Sequence, residues 1–316
     1  MGIHGFFKIK IVNKKSVFDG KLLSQLGEAT TLKKFKNQRI CVDASMIIYQ
    51  SILALNSIQS LTDANGDTTA HIYTIFNKII QLAQVDVIQI WIFDSPVLNS
   101  IKKRELVKRE ERREKSKNDK KRQYKLNQQH IDDIQFLLTN LGITYIVAPP
   151  EVEAEQYGAY LTKGFKDERF CQYMLSGDSD VLLFGGNLLR IISEKSASGK
   201  SKKTIYTTYD LDDIINECDV SYDQFVKMGV FLGSDFNEKA PEVGPATIMK
   251  KKEDVYITPA MHAAIKYFKS DISNKMQMAS MVDGRYNKLA IQDFLIAKKF
   301  NKDRIALRLD DYEKCL

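Results

Sequence analysis

The sequence predicts an α/β fold in which helices flank a central, mainly parallel β-sheet. Two observations predict it. Between residues 39 and 180, short runs rich in β-branched and aromatic residues alternate with stretches of helical period. Most of these runs also end in a carboxylate. Strands that alternate with helices are typical of parallel sheets, and sites in such sheets form at the carboxyl ends of the strands.

The individual elements follow from local patterns. Strands are predicted in RICVD, VDVIQIWIF, ITYIV and RFCQYML. The carboxylates that follow them are Asp43, Asp94, Glu151 with Glu153, and Asp178 with Asp180. Helices are predicted over residues 44–56, 69–84, 102–140 and 151–163, the last of which follows a Pro-Pro break and opens with Glu151, Glu153 and Glu155. Four acidic groups in the same topological position predict a shared site.

The second part of the chain has a different pattern. LLRIISEKSASGKSKKTIYTTY predicts two strands joined by a Ser/Gly/Lys loop at residues 194–203. Residues 222–300 are predicted to be all-helical. Within them, Asp235 follows an apolar helix, and the hairpin Val243-Gly244-Pro245 comes shortly after it. Asp235 is therefore a further candidate for the acidic site.

Composition places the chain among soluble globular proteins. Of its 316 residues, 44% are hydrophobic and 28% are charged. It has no apolar run of 18 residues and no apolar signal-peptide core, so neither a membrane span nor secretion is expected. The four cysteines are scattered without a CxxC pair, which is typical of reduced thiols in an intracellular protein.

The net charge of +7 is unevenly distributed. Residues 102–125 contain thirteen Lys and Arg against five Asp and Glu, a local excess of +8, so the rest of the chain is close to neutral. Such a basic tract on a neutral body predicts a polyanionic partner.

The acidic residues themselves indicate a metal site. A solvated Asp-rich turn is the alternative for any single group of them. No His or Cys accompanies them, so zinc is not expected, whereas all-oxygen ligands suit Mg²⁺ or Mn²⁺. Seven acids exceed the needs of one ion, and two ions about 4 Å apart would act on a phosphodiester. The candidate ligands are Asp43, Asp94, Glu151, Glu153, Asp178, Asp180 and Asp235.

Nine short stretches, spread over nearly the whole chain, also resemble the motifs of a known family and keep their order. They are MGIHGF, VDASMIIYQ, GDTTAHIY, IFDS, ELVKREERRE, APPEVEAEQYGAYL, SGDSDVLLFG, FLGSDF and VGP. The chain resembles the XPG-type structure-specific 5′-nucleases, and most closely the flap endonucleases. This resemblance implies a PIN-like 5′-nuclease fold with a helical arch and a C-terminal helix–two-turn–helix region.

The resemblance also implies a domain organisation. Residues 1–316 would form a single 5′-nuclease domain. Its parts would be an N-terminal nuclease region at 1–105, a basic helical arch at 102–135, an internal nuclease region at 145–221, and a helical region at 222–316 that contains a helix–two-turn–helix DNA-binding module.

By resemblance, the acids divide into two metal-ligand groups. One comprises Asp43, Asp94, Glu151 and Glu153, and the other Asp178, Asp180 and Asp235, with Glu153 close to both. The implied cofactors are two Mg²⁺ ions, for which Mn²⁺ substitutes, and a K⁺ ion in the helix–two-turn–helix module. Lys102 and Arg109 match the catalytic basic pair of the family, and their spacing of seven places them on one helix face.

Implied DNA contacts come from other parts of the chain. Tyr49 matches an aromatic residue that stacks on a base, and Gly2 matches an N-terminal glycine that lies against the DNA. The full set is Gly2, Tyr49, Arg112, Arg113, Gly244, Lys250 and Lys251.

Three features depart from the family pattern. Glu242 stands where family hairpins carry a second glycine, and the lysines after Gly244 come late, which puts the duplex grip in doubt. The stretch from Arg113 to Glu151 is shorter than the arch and cap of a flap endonuclease and is nearer that of the Holliday-junction resolvases. No sliding-clamp tail motif is present at the end of the sequence.

The function expected from these observations is Mg²⁺-dependent 5′ flap endonuclease and 5′→3′ exonuclease activity in replication or repair. Its partners would be branched or flapped DNA, with RNA-primed DNA as a further possibility, and its location the nucleus, or the host nucleus or replication site for a viral protein. We expect a monomer that can dimerise on junctions. The alternatives are a junction-resolvase-like or bubble-cutting nuclease, a non-catalytic nucleic-acid-binding relative, and a phosphatase or RNA-processing nuclease.

Overall fold

Strands from both halves of the chain form one mixed sheet. The computed structural model describes residues 3, 5–55, 62–63, 66, 68–97, 99–115, 126–164, 169–195 and 202–316. Within these ranges the strands are β1 (Glu28–Thr30), β2 (Arg39–Asp43), β3 (Ile88–Phe93), β4 (Thr144–Val147), β5 (Tyr173–Leu175), β6 (Leu188–Lys195), β7 (Lys202–Tyr209) and β8 (Ser280–Val282). Their order in the sheet is β1-β7-β6-β5-β2-β3-β4-β8.

The centre of the sheet is parallel, as predicted. Strands β6, β5, β2, β3 and β4 run in one direction, and β7, β1 and β8 are antiparallel to their neighbours. In the register of β2 and β3, Asp43 lies opposite Ile92. The carboxyl ends of the parallel strands therefore meet at one edge, and the acids that follow them are brought to that edge.

Helices cover both faces of the sheet. They are α1 (Ala44–Leu55), α2 (Ala70–Ala83), α3 (Ser100–Lys115), α4 (Gln128–Leu141), α5 (Ala154–Leu161), α6 (Asp180–Leu183), α7 (Leu211–Cys218), α8 (Tyr222–Leu232), α9 (Ile248–Lys251), α10 (Pro259–Phe268), α11 (Lys288–Ala297) and α12 (Lys302–Glu313). No helix within the described stretches is long and apolar enough to cross a bilayer.

Two helix predictions require correction at their ends. The helix predicted over residues 102–140 is divided into α3 and α4, because Asn127 is extended and its side chain accepts a hydrogen bond from the His130 backbone amide at 3.0 Å. The helix predicted to open at Glu151 begins at Ala154. Glu151 has a left-handed backbone with φ 66° and Glu153 is the extended N-cap residue, so neither belongs to the helix.

The prediction that residues 222–300 are all-helical was wrong in one place. Strand β8 pairs antiparallel with β4 at an edge of the sheet. It has only three residues, and Met281 is 63% exposed, so no alternating apolar pattern marks it in the sequence. Strand β1, which is equally short, was also missed.

Two apolar cores lie on the two faces of the sheet. One contains side chains of α5, α6, α8 and α10 together with the N-terminal segment, and the other contains side chains of α1, α2, α4, α11 and α12. The last helix is anchored in the second core, where Leu309 is fully buried and the Tyr312 hydroxyl donates to the Leu141 carbonyl at 2.6 Å. The predicted helical region therefore contributes to both faces of the sheet.

Candidate active site

Asp43 ends β2 and begins the site. It is 1% exposed, its Oδ1 accepts the backbone N–H of Met46 at 2.9 Å, and its Oδ2 accepts the Ser176 hydroxyl at 2.9 Å. The first bond satisfies a free amide at the start of α1. Burial, and after it the negative charge of Asp94, raises the pKa of Asp43 to about 7. A buried carboxylate with a raised pKa stores unfavourable charge that a cation can relieve.

Asp94 lies just beyond β3 and supports the next acidic segment. Its Oδ1 accepts the backbone N–H of Ala154, the first residue of α5, at 2.9 Å. The contact holds Glu153, the residue before Ala154, close to the end of β3. Burial raises the pKa of Glu153 to about 7, with Asp94 and Asp235 adding to the effect and Lys102 opposing it.

Asp178 and Asp180 follow β5 on a tight turn. The Asp178 amide donates to Ser176 Oγ at 3.1 Å, and the Asp180 amide donates to Asp178 Oδ1 at 3.1 Å. Both residues are buried. Burial raises the pKa of each, and Asp235 raises both further. The turn therefore holds two carboxylates side by side, and within the described residues no basic side chain forms a hydrogen bond with either.

Asp235 approaches from the helical region. It lies in the turn after α8, and the turn is closed by Asn237, whose side-chain amide donates to the Val230 carbonyl at 2.7 Å. Asp235 raises the pKa of Glu153, Asp178 and Asp180. Because its charge affects these three pKa values, Asp235 belongs to the same acidic cluster, although about sixty residues of chain separate it from β5.

The two acids that flank Glu153, Glu151 and Glu155, lie in different environments. Glu151 is exposed, and its carboxylate is 3.5 Å from Lys275 Nζ. Glu155, in the first turn of α5, carries a pKa raised well above its usual value by burial, then by Asp43 and Asp94. Glu155, which is not among the ligands predicted from the sequence, is thus a further candidate for the acidic site.

Lys102 reaches the acids from α3. It forms an ion pair with Glu153, and its side chain is 18% exposed. Burial disfavours its charge, but Glu153, Glu155 and Asp94 outweigh burial and raise the pKa of Lys102. The side chains of Arg109, Arg112 and Arg113 lie outside the described part of the structure, although the backbone of all three belongs to α3.

The donor set fits hard divalent cations. All of its donor atoms are carboxylate oxygens, which such cations prefer. The members are Asp43, Asp94, Glu153, Glu155, Asp178, Asp180 and Asp235. Among them, Asp180 Oδ1 is buried and has no hydrogen-bond partner among the described residues. In the present arrangement, no three acidic, His or Cys side chains in the described ranges converge closely enough to hold one ion. One of these acids, Glu153, is paired with Lys102 in this arrangement.

The predicted DNA contacts lie on two other segments. Tyr49 is half-buried on α1, and Gly2 lies outside the described residues. The Gly244 amide donates to Thr247 Oγ1 at 3.0 Å, and the Lys10 amide donates to the Pro245 carbonyl at 3.0 Å. The hairpin is therefore docked on the N-terminal segment.

The basic residues after the hairpin are accompanied by an acid. Lys250 is exposed, and Lys251 Nζ is 3.6 Å from the Glu242 carboxylate. Glu242 has φ 55°, in the left-handed region that favours glycine, and its side chain is 85% exposed. The departure from the family hairpin thus adds an exposed negative charge beside Lys251.

Comparison with known proteins identifies the family. The XPG N-terminal domain is matched over residues 1–116 and the XPG I-region over residues 142–235. Flap endonuclease 1-A of Sorghum bicolor is 30% identical over 270 residues, covering 79% of this chain and 66% of the relative. Flap endonuclease 1 of Theileria annulata is 28% identical, covering 90% of this chain and 60% of the relative. The chain thus spans less than two thirds of the length of these curated relatives.

Solved structures share the fold. Flap endonuclease-1 from Methanococcus jannaschii superposes with a TM-score of 0.70 at 20% identity, covering 92% of this chain and 96% of that chain. The catalytic core of Rad2 in complex with DNA substrate has a TM-score of 0.66 at 17% identity and covers 92% and 97% of the two chains. Human GEN1 in complex with Holliday junction DNA has a TM-score of 0.60 at 16% identity, with 92% and 75% covered. The chain belongs to the XPG family, as its motifs predict.

Proposed function

We propose that this protein is a metal-dependent, structure-specific 5′ flap endonuclease with 5′→3′ exonuclease activity on branched DNA in replication or repair. The observation that carries the proposal is the cluster of buried carboxylates at the strand ends, with Lys102 as the cation beside it. If these acids only formed a structural ion-pair network, basic partners would lower their pKa values. The pKa of most of them is raised instead.

We assign the metal ligands in two groups. Asp43, Asp94, Glu153 and Glu155 form the first, and Asp178, Asp180 and Asp235 the second, so Glu155 takes the place that the sequence suggested for Glu151. Mg²⁺ ions bound there, or Mn²⁺ in their place, supply Lewis acidity and a water of lowered pKa. Ser176 and the amides of Met46 and Ala154 orient the acids through their hydrogen bonds.

The chain's own cations act on the phosphate. Lys102, and Arg109 on the same helix face, offset the negative charge that develops on the scissile phosphate. Tyr49 stacks on the base beside the cut, and Gly2, Arg112 and Arg113 contact the DNA near it. Gly244, Lys250 and Lys251 grip the duplex backbone, with a K⁺ ion in the helix–two-turn–helix module over residues 222 to about 265.

A second candidate within the same family is favoured by one observation. The sequence between Arg113 and Glu151 is shorter than the arch and cap that a flap endonuclease carries there. A short connection leaves little room for a cap over a threaded 5′ strand, which favours cutting of bubbles or junctions that have no free end. In that case a bulky block on the 5′ end of a flap slows cleavage only modestly, whereas a threading enzyme loses its activity on blocked flaps.

The test compares flap, nick, bubble and four-way-junction DNAs in Mg²⁺ and in EDTA. We expect flap cleavage in Mg²⁺ alone, and loss of it in Asp178→Ala and Asp180→Ala with DNA binding retained or tighter, because fewer negative charges then face the phosphates. Glu151→Gln serves as the matched control for an acid outside the cluster. Retention of even about a tenth of the wild-type single-turnover rate in both Asp variants would exclude the two-metal assignment.

The biological setting follows from the substrate. Action on branched DNA in replication or repair places the protein in the nucleus, or at the host nucleus or replication site if it is viral. RNA-primed flaps are a further substrate to include in the panel. A dimer on four-way junctions is tested by sizing the complex with each DNA.

A further inference from the structure

Tyr267, near the end of α10, carries a buried hydroxyl that the proposed chemistry has not used. The residue is 7% exposed, and its hydroxyl oxygen has no hydrogen-bond partner among the described residues. A buried phenol usually finds an acceptor, because an unpaired one costs free energy. An unsatisfied donor in this position indicates a partner that the resting arrangement does not supply.

The ring of Tyr267 is fixed between the two metal-ligand segments. Its centroid is 4.7 Å from that of Phe236, the residue after Asp235, and 5.6 Å from that of Phe184, which ends the helix begun by Asp180. Both contacts are in the range of favourable aromatic pairs. The ring therefore has little freedom, and the hydroxyl is held in one place.

A second set of contacts joins Tyr267 to the start of α5. Gln156 Nε2 donates to Ser270 Oγ at 2.9 Å, and Ser270 Oγ donates to the Tyr267 carbonyl at 2.7 Å. Gln156 lies one turn after Glu153, and Ser270 lies one turn after Tyr267. The end of α10 is thus packed beside the first turn of α5, where Glu153 and Glu155 are located.

The charges that act on the Tyr267 hydroxyl agree with its position beside the first turn of α5. Burial raises the pKa of Tyr267, Glu153 raises it further, Lys102 opposes the effect, and Glu155 and Asp94 add to it. The hydroxyl therefore stays protonated and is a hydrogen-bond donor at every working pH.

Lys102 has two partners that compete. In the resting arrangement it is paired with Glu153, and the proposed function requires it to contact the scissile phosphate. When Lys102 turns to the phosphate, the Glu153 carboxylate loses the donor that fixes its orientation, and a metal-ligating carboxylate needs such a hydrogen-bond partner to stay in place. Tyr267 is a nearby donor without an acceptor.

We propose that Tyr267 is a positioning residue whose hydroxyl donates a hydrogen bond to the Glu153 carboxylate when Lys102 leaves it for the phosphate. The proposal rests on the function proposed above. It assigns to Tyr267 the task of keeping Glu153 oriented as a metal ligand during the reaction, and it involves no covalent step.

The test is a double-mutant cycle of Tyr267→Phe and Lys102→Ala, with Mn²⁺ binding to the DNA-free protein measured by titration calorimetry. Loss of Lys102 leaves Glu153 to Tyr267, so Tyr267→Phe should weaken Mn²⁺ binding about tenfold in the Lys102→Ala background and by much less with Lys102 present. Equal Mn²⁺ affinities with and without the hydroxyl in both backgrounds would overturn the proposal.

The matched control is Tyr222→Phe, which removes another largely buried hydroxyl, one that donates to the Leu183 carbonyl at 2.6 Å. Without metal, Tyr222→Phe should lower the melting temperature, whereas Tyr267→Phe should leave it unchanged, since its hydroxyl has no resting partner. A larger fall for Tyr267→Phe than for Tyr222→Phe would show a resting partner and overturn the proposal. The Mn²⁺ titration tests the role of Tyr267 and does not depend on cleavage. The nuclease activity is tested separately, by cleavage of the DNA panel with the wild type and with Asp180→Ala.

Discussion

Lys102 and Glu153 form an ion pair that joins the basic helix α3 to the N-cap of α5. The pair connects the cation that we assign to the phosphate with a carboxylate that we assign to the metal. Each neutralises the other in the resting protein, and both must change partners for the proposed reaction to occur.

Substitution of Glu155 should abolish cleavage, and substitution of Glu151 should not. Glu155 is half-buried, and burial with the charges of Asp43 and Asp94 raises its pKa, whereas Glu151 is paired with Lys275 at the surface. At saturating DNA and Mg²⁺ we expect Glu155→Gln to slow the single-turnover rate about 100-fold or more. Glu151→Gln, the matched control, should stay within about threefold, since an exposed pair contributes little. The reverse order of effects would restore Glu151 as the ligand.

Lys102→Ala should slow the chemical step about 10²–10³-fold, the scale for a positioned group that stabilises transition-state charge. Arg109→Ala should have an effect of the same scale. DNA affinity should change little, because other phosphate contacts remain. Rapid-quench rates at saturating enzyme separate the two quantities. A collapse of affinity with an intact saturated rate would instead make these residues positioning contacts.

The metal-free protein should lose stability as the pH rises from about 5 to about 8. Asp43 and Glu153 have pKa values of about 7 in the folded protein, and unfolded carboxyls titrate near 4. The folded state therefore binds more protons between these values, so the free energy of unfolding falls with rising pH and levels off above about 7. Melting curves in EDTA should show a fall of several degrees.

Two controls accompany the melting curves. Asp43→Asn should flatten the pH dependence, because one raised carboxyl is removed. Mg²⁺ should raise the melting temperature more at pH 8 than at pH 5.5, since protonated carboxyls do not bind it. A melting temperature in EDTA that rises over this pH range would contradict the raised pKa values.

Glu242→Gly should strengthen duplex binding. Glu242 combines a left-handed backbone with an exposed negative charge beside Lys251. Removal of the charge frees Lys251 for phosphate, and we expect the Kd for duplex DNA to fall about threefold to tenfold at low salt. Glu242→Gln separates charge from backbone strain, and Glu253→Gln serves as a nearby acid control. An unchanged Kd in both Glu242 variants would remove the hairpin from the DNA-binding surface.

Much of the fold and site could be predicted because the signals were local. Asp43, Asp94, Asp178 and Asp180 each follow a strand whose apolar run is visible in the sequence, and parallel strands must end at the same edge. The alternation of strands and helices likewise determined the central sheet. The family motifs in the same order then indicated the XPG family, which the family comparison confirmed.

Other features depended on contacts that no local pattern encodes. In the run EVEAE, acids alternate, and the start of α5 at Ala154 decides which of them face the site. That start depends on Asp94, a residue from another strand, through its bond to the Ala154 amide. In the same way, β8 is a strand only because it lies beside β4.

Buried polar contacts between helices likewise could not be predicted from local sequence patterns. His71 of α2 lies 3.2 Å from the Asp133 carboxylate of α4, which also accepts from Lys298, after α11, at 3.0 Å. A buried acid is stable there because partners from three elements meet around it. The sequence by itself determined which residues could be strands, helices and ligands, and only the tertiary structure decided which side chains meet. The reason is that hydrogen bonds and ion pairs form between neighbours in space, and these neighbours are separated by 62 and 165 residues along the chain.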